Sequence, residues 1–557
     1  MSAKPSIEGV DPTKSDKYGE PRLCRVSLAR APAEILQWVN SRARIADLQN
    51  EVVSRIWAAK PTSNIRIDQL RSHMRRAWSV AIGQRIAPAT TAMTCVERLI
   101  GHLSSEEADE IRCEAQLIRA TCLLMQDDNQ SALLIAQSSF GAGATPRLME
   151  IGALICRAAQ WKLGTTNSGS ATIPGFPRGA PAAPSHASIY GMAVDAAIEL
   201  NALRLGVARR LSLDALRMAE NSAGSGSDIT LFPATIQAQL AYEQGALDEA
   251  ELAIRERLSA VRSSGSIETS MRAYTVLIRS SLYREDFEHA FLLLQEAEDL
   301  SLQRSWPRMT AGLLLERVTF CLSQERMDAA LSCAERLERI AAREPARTGN
   351  ALDVRHYSQL AQLRLNIALG PTDDHMAALS QLHRDAAAAG HLYHATQLSI
   401  DFVLLLLASD QKREALRIFA GILRLAAEAG IFQSLLDHGS KSLVLLREFC
   451  QYCLKHAESS DLLPYATRLL AAGESVHRDN TPCKSAFRSA ETLTAREASI
   501  LRLISNGSSN KRVAQTLGIM PETVKSHVKN IFLKLAVKTR AEAVFRAKSL
   551  GLIWDRP

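Results

Sequence analysis

Aromatic residues are scarce: Phe, Trp and Tyr together make up 5% of the chain, although hydrophobic residues make up 46%. Strands favour aromatic and β-branched residues, so this balance argues against a β-sandwich. Long apolar runs are also lacking. The longest, "FVLLLLA" at 402–408, is far too short to span a bilayer, and the start of the chain has no charged-then-apolar leader. A cytoplasmic location with no membrane partner is expected. The ten cysteines are scattered rather than set in a disulfide framework. Cys450 and Cys453 have C-x-x-C spacing with His456 nearby, but no second pair completes a zinc set, so they read as buried thiols. The pattern G-x-x-x-x-G-K-[ST] is absent, as is any Gly-Lys pair, which argues against control by ATP. The histidines are dispersed and no nucleophile–base spacing is present. No enzyme activity, catalytic residue, metal or cofactor is therefore expected. Alternating strands and helices are missing too, which excludes a receiver-type domain.

What the chain has in plenty is Ala and Leu, and that favours packed helices. Its 557 residues exceed what one compact core holds, so two to four domains are expected. Charge is localised. Residues 489–557 carry twelve Lys/Arg against five Asp/Glu, an excess equal to the +7 of the whole chain. The preceding residues are neutral overall, so the C-terminal excess reads either as a solvated basic tail or as a compact domain built to meet phosphate.

Residues 1–22 are polar and punctuated by Pro and Gly, and read as a disordered tail. Residues 23–163 have apolar residues at helical three and four spacing. The stretch 164–187 holds four Pro, four Gly and one charge, and reads as a linker or loop. Helical patterning resumes over 188–472, a candidate sensor, and 473–490 reads as a second linker before a C-terminal domain at 491–557. An internal repeat lies within 188–472. "YEQGALDEAELAIRERL", "YREDFEHAFLLLQEA" and "LSQERMDAALSCAERL" place Leu247, Phe287 and Met327 forty residues apart, and Ala250, Ala290 and Ala330 likewise. Small Ala lets a neighbouring helix approach, while the long residues fill the space between pairs. Segments around Ala132 and Ala415 look like degenerate copies. The alternative to a stacked superhelix is a non-repeating bundle.

The C-terminal unit reads as four helices. Thr494 and Glu497 form a capping box, Ile500, Leu501 and Ile504 supply the buried stripe, and Gly507 the stop. Ser508 or Ser509 caps a second helix whose Val513, Ala514 and Leu517 face inward. A third starts at Pro521. Val524, Val528, Ile531 and Leu535 share one face there, while Lys525, Ser526 and Lys529 point away with Asn530 beside them. A fourth opens on the pair Thr539 and Glu542. Two short helices joined by a Gly-containing turn, the second exposing cations, make a helix-turn-helix.

The residues "LTAREASILRLISNG", "SNKRVAQTLGI" and "TVKSHVKNIFLKLAVKTRAEA" resemble the LuxR-type (GerE-type) DNA-binding domain of bacterial transcriptional regulators. The helical body, from "RMAENSAGSGSDITLFPATIQ" onward, resembles the TPR-like sensor region of MalT-like members. Full-length members carry an N-terminal nucleotide-switch domain, which is not legible here. The resemblance implies an all-α fold: a helical-repeat (TPR-like) superhelix followed by a four-helix LuxR-type domain. It makes 521–534 the recognition helix, with Lys525, Ser526 and Lys529 facing bases. Ser509, Asn510, Lys511, Thr523, Asn530, Lys534 and Arg540 would hold the DNA backbone or the fold. Ala543, Arg546 and Ala547 would lie on the dimer surface. Two positions depart from the family pattern: Met520 replaces a capping Ser, and Ala536 replaces a Gly.

The expected function is sequence-specific binding of double-stranded DNA by a homodimer, with activation of RNA polymerase under a small-molecule or protein inducer. The alternative is a helical-repeat interaction scaffold with a degenerate helix-turn-helix.

Overall fold

The computed structural model describes residues 105–164, 185–479 and 495–549 with a few short gaps, plus isolated positions between 70 and 96. The expected tail, the beginning of the 23–163 region and most of both linkers lie outside these residues. Every regular element described is helical.

The first three helices are α1 (Ser105–Met125), α2 (Asn129–Ser138) and α3 (Pro146–Lys162). They are followed by α4 (His186–Asn201), α5 (Leu205–Ala223), α6 (Leu231–Glu243), α7 (Leu247–Arg255), α8 (Leu258–Ser264), α9 (Ile267–Tyr283) and α10 (Phe287–Gln303). Next come α11 (Pro307–Ser323), α12 (Met327–Arg343), α13 (Gly349–Leu369), α14 (Asp373–Ala388), α15 (Leu392–Ala408), α16 (Lys412–Ala429), α17 (Ser440–Cys453) and α18 (Leu463–Asp479). Antiparallel neighbours pack pairwise, α6 with α7, α9 with α10, α11 with α12, and the first helix of each pair packs on that of the next.

The forty-residue repeat is visible in the packing. Leu247, Phe287 and Met327 open α7, α10 and α12, and Ala250, Ala290 and Ala330 are each fully buried. The turns before these helices use one device. Gly245, Glu285 and Glu325, again forty apart, all adopt left-handed backbone with φ of 78°, 57° and 56°. The next residue's N–H then reaches back to the preceding helix: Ala246 to Ala241 O at 3.0 Å, Asp286 to Ser281 O at 2.9 Å, Arg326 to Cys321 O at 2.9 Å. This Schellman closure satisfies carbonyls that would otherwise be orphaned and fixes the angle between paired helices.

The superhelix closes on itself. One buried cluster takes in Leu117 and Ile155 from α1 and α3, Ile236 from α6, and Val403, Phe449 and Leu469 from the last four helices of the body. Residues on both sides of 165–184 therefore share a core. Polar contacts complete the closure. Phe432 N–H donates to Glu243 O at 2.6 Å, Ser434 Oγ donates to the Glu243 carboxylate at 2.7 Å, and Trp306 Nε1 donates to Met125 O at 3.2 Å.

The connection expected to start at 473 starts later, because α18 runs on to Asp479. Gly473 explains the difference. A Cβ there would lie 2.4 Å from Leu443 Cδ2, so the small residues of this polar-looking stretch serve close packing on α17 rather than a turn.

The last four helices are α19 (Ala495–Ser505), α20 (Asn510–Leu517), α21 (Pro521–Lys534) and α22 (Arg540–Ser549). They surround their own core of Ile500, Leu501, Ile504, Val513, Ala514, Val524, Ile531, Leu535, Ala543 and Ala547, with Leu517 and Val528 packed against it.

Candidate nucleic-acid interface

The geometry of α19–α22 follows from caps and close contacts. Gly507, at φ 74°, ends α19, and Ser508 N–H returns to Leu503 O at 3.1 Å. Ser509 is the cap of α20, its Oγ accepting from Arg512 N–H at 3.4 Å. Arg496 Nη2 donates to Leu517 O at 2.7 Å, tying the end of α20 to the start of α19. Thr539 caps α22 by accepting from Glu542 N–H at 3.2 Å. Thr494, Gly518 and Ala536 lie outside the described residues.

On α21 the division of faces is clear. Val524, Ile531 and the adjoining Leu535 are buried, whereas Thr523, Lys525, Ser526, Lys529 and Asn530 are exposed. Lys525 Nζ lies 2.9 Å from Glu522 Oε1, one turn back in the helix, and Ser526 Oγ donates to Glu522 O at 3.2 Å. Both ends of this exposed ion pair are in water, so it holds Lys525 only weakly. Met520 precedes α21 with its side chain 70% exposed. It contributes its carbonyl to Val524 N–H at 3.2 Å, but it has no side-chain oxygen to cap with.

Other expected contact residues divide by role. Ser509 and Lys511 are exposed. Arg540 is half-buried; its Nη1 donates to Asn510 Oδ1 at 3.1 Å and its Nη2 to Ser508 O. Asn510 and Arg540 thus pin α22 to the start of α20. The side chains of Lys534 and Arg546 lie outside what is described. The expected dimer surface needs correction: Ala543 and Ala547 are fully buried. They are core residues of α22 packed on α19 and α21, and a side chain with no exposed area cannot meet a partner. Their apolar i, i+4 spacing signals that burial in the sequence itself.

A second feature lies inside the helical body. The first helices of successive pairs enclose a cavity of about 670 Å³, lined by charged and aromatic residues from α9, α11, α13 and α15. Its wall is ordered by buried ion pairs. Arg308 of α11 meets Asp127 with 2.7 and 3.0 Å hydrogen bonds and also donates to Glu268. Burial alone would raise the Glu268 carboxyl, but Arg308, Lys162 and Arg272 outweigh it and bring it down to about 2. Tyr242 donates to Asp437, and there burial prevails, pushing Asp437 up to about 7 despite Arg279. Sequence reading singled out none of these residues. The available signal was Glu268, Arg272 and Arg279, and likewise Arg308 and Glu316, recurring at helical spacing within otherwise apolar seams.

The C-x-x-C thiols are not a site of this kind. Cys453 is buried and Cys450 partly so, and burial pushes both thiols up. Among the described residues no group of three or more His, Cys, Asp or Glu is arranged to hold a metal ion. Nor is any described helix long and apolar enough to cross a membrane.

Residues 180–451 match the family model for the MalT-like TPR region, and residues 491–547 match that for bacterial regulatory proteins of the luxR family. The chain carries a MalT-like TPR region and a luxR-family domain. Among curated proteins it is similar to the HTH-type transcriptional regulator MalT of Vibrio cholerae serotype O1, 25% identical over 334 residues, covering 57% of this chain and 35% of that protein. The MalT of Vibrio campbellii gives 25% identity over 338 residues with the same shares. The match thus spans about a third of the length of these relatives. Among solved structures, that of a Rap protein complexed with competence and sporulation factor is 10% identical, with a TM-score of 0.49 over 65% of this chain and 99% of that one.

Proposed function

We propose that this chain is a transcriptional regulator. In this reading it binds double-stranded DNA as a homodimer through α21 in the major groove, and its closed helical body is the sensor. The observation that carries the reading is the two-faced α21 within the luxR-family match. Its apolar side is buried in a four-helix core, while Lys525, Ser526, Lys529 and Asn530 are exposed side by side. A rigid helix presenting cations and small polar groups suits groove entry: lysines donate to guanine acceptors, and Ser and Asn to bases or phosphates. Ser509, Lys511, Thr523 and Lys534 are assigned to the phosphate backbone, and Asn510 and Arg540 to orienting the two helices. Contact with RNA polymerase and a positive effect on transcription belong to the same reading, which assigns the chain no catalytic centre. With Ala543 and Ala547 buried, the dimer contact is assigned to exposed parts of α22, such as Ala541 and Glu542.

The test is binding of the full chain to genomic DNA fragments across a salt series, beside Lys525→Ala/Lys529→Ala. Specific binding whose log–log salt slope is about −0.9 per phosphate neutralised, and whose specificity is lost in the variant, supports the regulator. Full-length folded protein that binds no fragment at low salt favours a protein-interaction scaffold.

A further inference from the structure

Five cations line the cavity of the helical body: Lys162, Arg272, Arg279, Arg308 and Arg364. Four of them have carboxylate partners. Arg308 is paired with Asp127 and Glu268, and Lys162 lies 3.7 and 3.6 Å from the same two. Arg279 pairs with Glu316, and Arg364 Nη2 meets Asp401 at 2.7 Å. Arg272 is different. Its Nε donates to the neutral Gln239 Oε1 at 2.6 Å, and its guanidinium lies 5.6 Å from the centre of the Phe232 ring. The carboxylate that acts on it most strongly is Glu268, one turn earlier on α9, and Glu268 is already engaged by Arg308 and Lys162.

Arg272 is only partly buried and, among the described residues, has no carboxylate at ion-pair distance, so an anion on its cavity side supplies the missing counter-charge. Arg272 opens onto a space large enough for a small organic molecule, with the Phe232 ring and the Gln239 amide holding its plane in place. The remaining wall limits the charge such a molecule carries. Glu268, Glu316, Asp353, Asp385 and Asp401 also line the cavity, so five carboxylates face the five cations and disfavour a multiply charged anion. His394 does not add positive charge, because burial and the neighbouring His391 and His356 hold it down to about 4.

We propose that the cavity is the binding site for a small organic monoanion whose carboxylate is held by Arg272. This deepens the sensor role given to the helical body and rests on it. Binding would join α9 to whatever the rest of the molecule touches on α11, α13 and α15, the helices that form the cavity wall. Arg272 acts as an anchor for ligand; the other four cations maintain the wall.

The test is thermal unfolding of the full chain with a panel of short-chain, branched, hydroxylated and aromatic monocarboxylates. Glycerol phosphate represents dianions and glucose represents neutral molecules, and each is repeated on Arg272→Gln and Arg272→Lys. At least one monocarboxylate is expected to raise the midpoint. Its apparent Kd should weaken about tenfold or more in Arg272→Gln and less in Arg272→Lys, with the ligand-free midpoint of both variants near or above wild type. That last condition separates lost binding from lost folding. A monocarboxylate that stabilises Arg272→Gln as well as wild type overturns the proposal, as does stabilisation by none of them. Stabilisation by glucose alone overturns the anion site while leaving the helical body a small-molecule sensor. Stronger, Arg272-dependent stabilisation by glycerol phosphate overturns the single-charge limit.

Discussion

Arg308 and Asp127 are 181 residues apart in sequence and joined by two hydrogen bonds of 2.7 and 3.0 Å in the interior. Asp127 sits in the turn between α1 and α2 with left-handed backbone, φ 67°, and Arg308 in the first turn of α11. Removing one member of a buried pair leaves the other charged and desolvated, which typically costs about 3–5 kcal/mol. Glu268 remains beside Arg308, so Asp127→Asn is expected near the lower end of that range. The check is urea unfolding of the full chain. An unchanged midpoint would mean that the pair adds nothing to closure of the body.

Two carboxyls, one buried and one half-buried, give the stability opposite pH dependences. Glu268 is held at about 2 in the fold against an ordinary 4.5, so its contribution is fully present above 4.5 and is lost as pH falls toward 2. The shift corresponds to about 3 kcal/mol. Asp437 is raised from 3.8 to about 7. The native state therefore holds a proton that the unfolded chain releases, and stability falls as pH rises from 3.8 to 7 and then levels. Asp437→Asn keeps an acceptor for the Tyr242 hydroxyl and should flatten that decline, making the variant relatively more stable above pH 7. Glu268→Gln should instead lose stability at neutral pH. Unfolding free energies measured across pH for both variants decide the signs.

Glu325 occupies a left-handed position that Gly245 fills two repeats and eighty residues earlier, and its side chain is exposed. L residues pay about 1 kcal/mol or more for this backbone region, and Gly does not. Glu325→Gly is accordingly expected to stabilise the body by about 0.5–1 kcal/mol, offset in part by the greater freedom of Gly in the unfolded chain. Glu325→Val should do the reverse. Calorimetric midpoints for both substitutions provide the comparison.

Met520 stands at the N-cap of α21 with no side-chain oxygen to offer the N–H groups of the first turn. Met520→Ser supplies one, and a cap of this kind contributes about 1 kcal/mol. The C-terminal domain should melt at higher temperature in this variant, with the effect visible in hydrogen exchange of the Glu522 and Thr523 amides. Equal exchange in variant and wild type would show that the first turn is already satisfied.

Local periodicity carried the repeat and the helix-turn-helix. Leu247, Phe287 and Met327 begin helices, Ala250, Ala290 and Ala330 vanish from the surface, and Val524 and Ile531 face a core, because each is decided by neighbours within a few turns. Closure was not legible, since the Arg308–Asp127 pair and the Glu243–Ser434 bond depend on segments nearly two hundred residues apart. Glu285 and Glu325 hid the recurring turn, because only Gly245 announces left-handed backbone by its identity. The expectation for Ala543 and Ala547 failed for a different reason: it came from resemblance and passed over their own apolar spacing. That α18 continues past 473 depended on Gly473 meeting Leu443, a contact that composition alone reads as a break.

An open stack of helical pairs can gain or lose a repeat, and each end unzips without consulting the other. The body described above has given up that freedom. With α1–α3 sharing one core with α15–α18, excising any forty-residue unit would leave the two ends out of register. Length variation among relatives of this architecture should therefore fall in the connections outside the ring of helices, and the ring should melt as one cooperative unit.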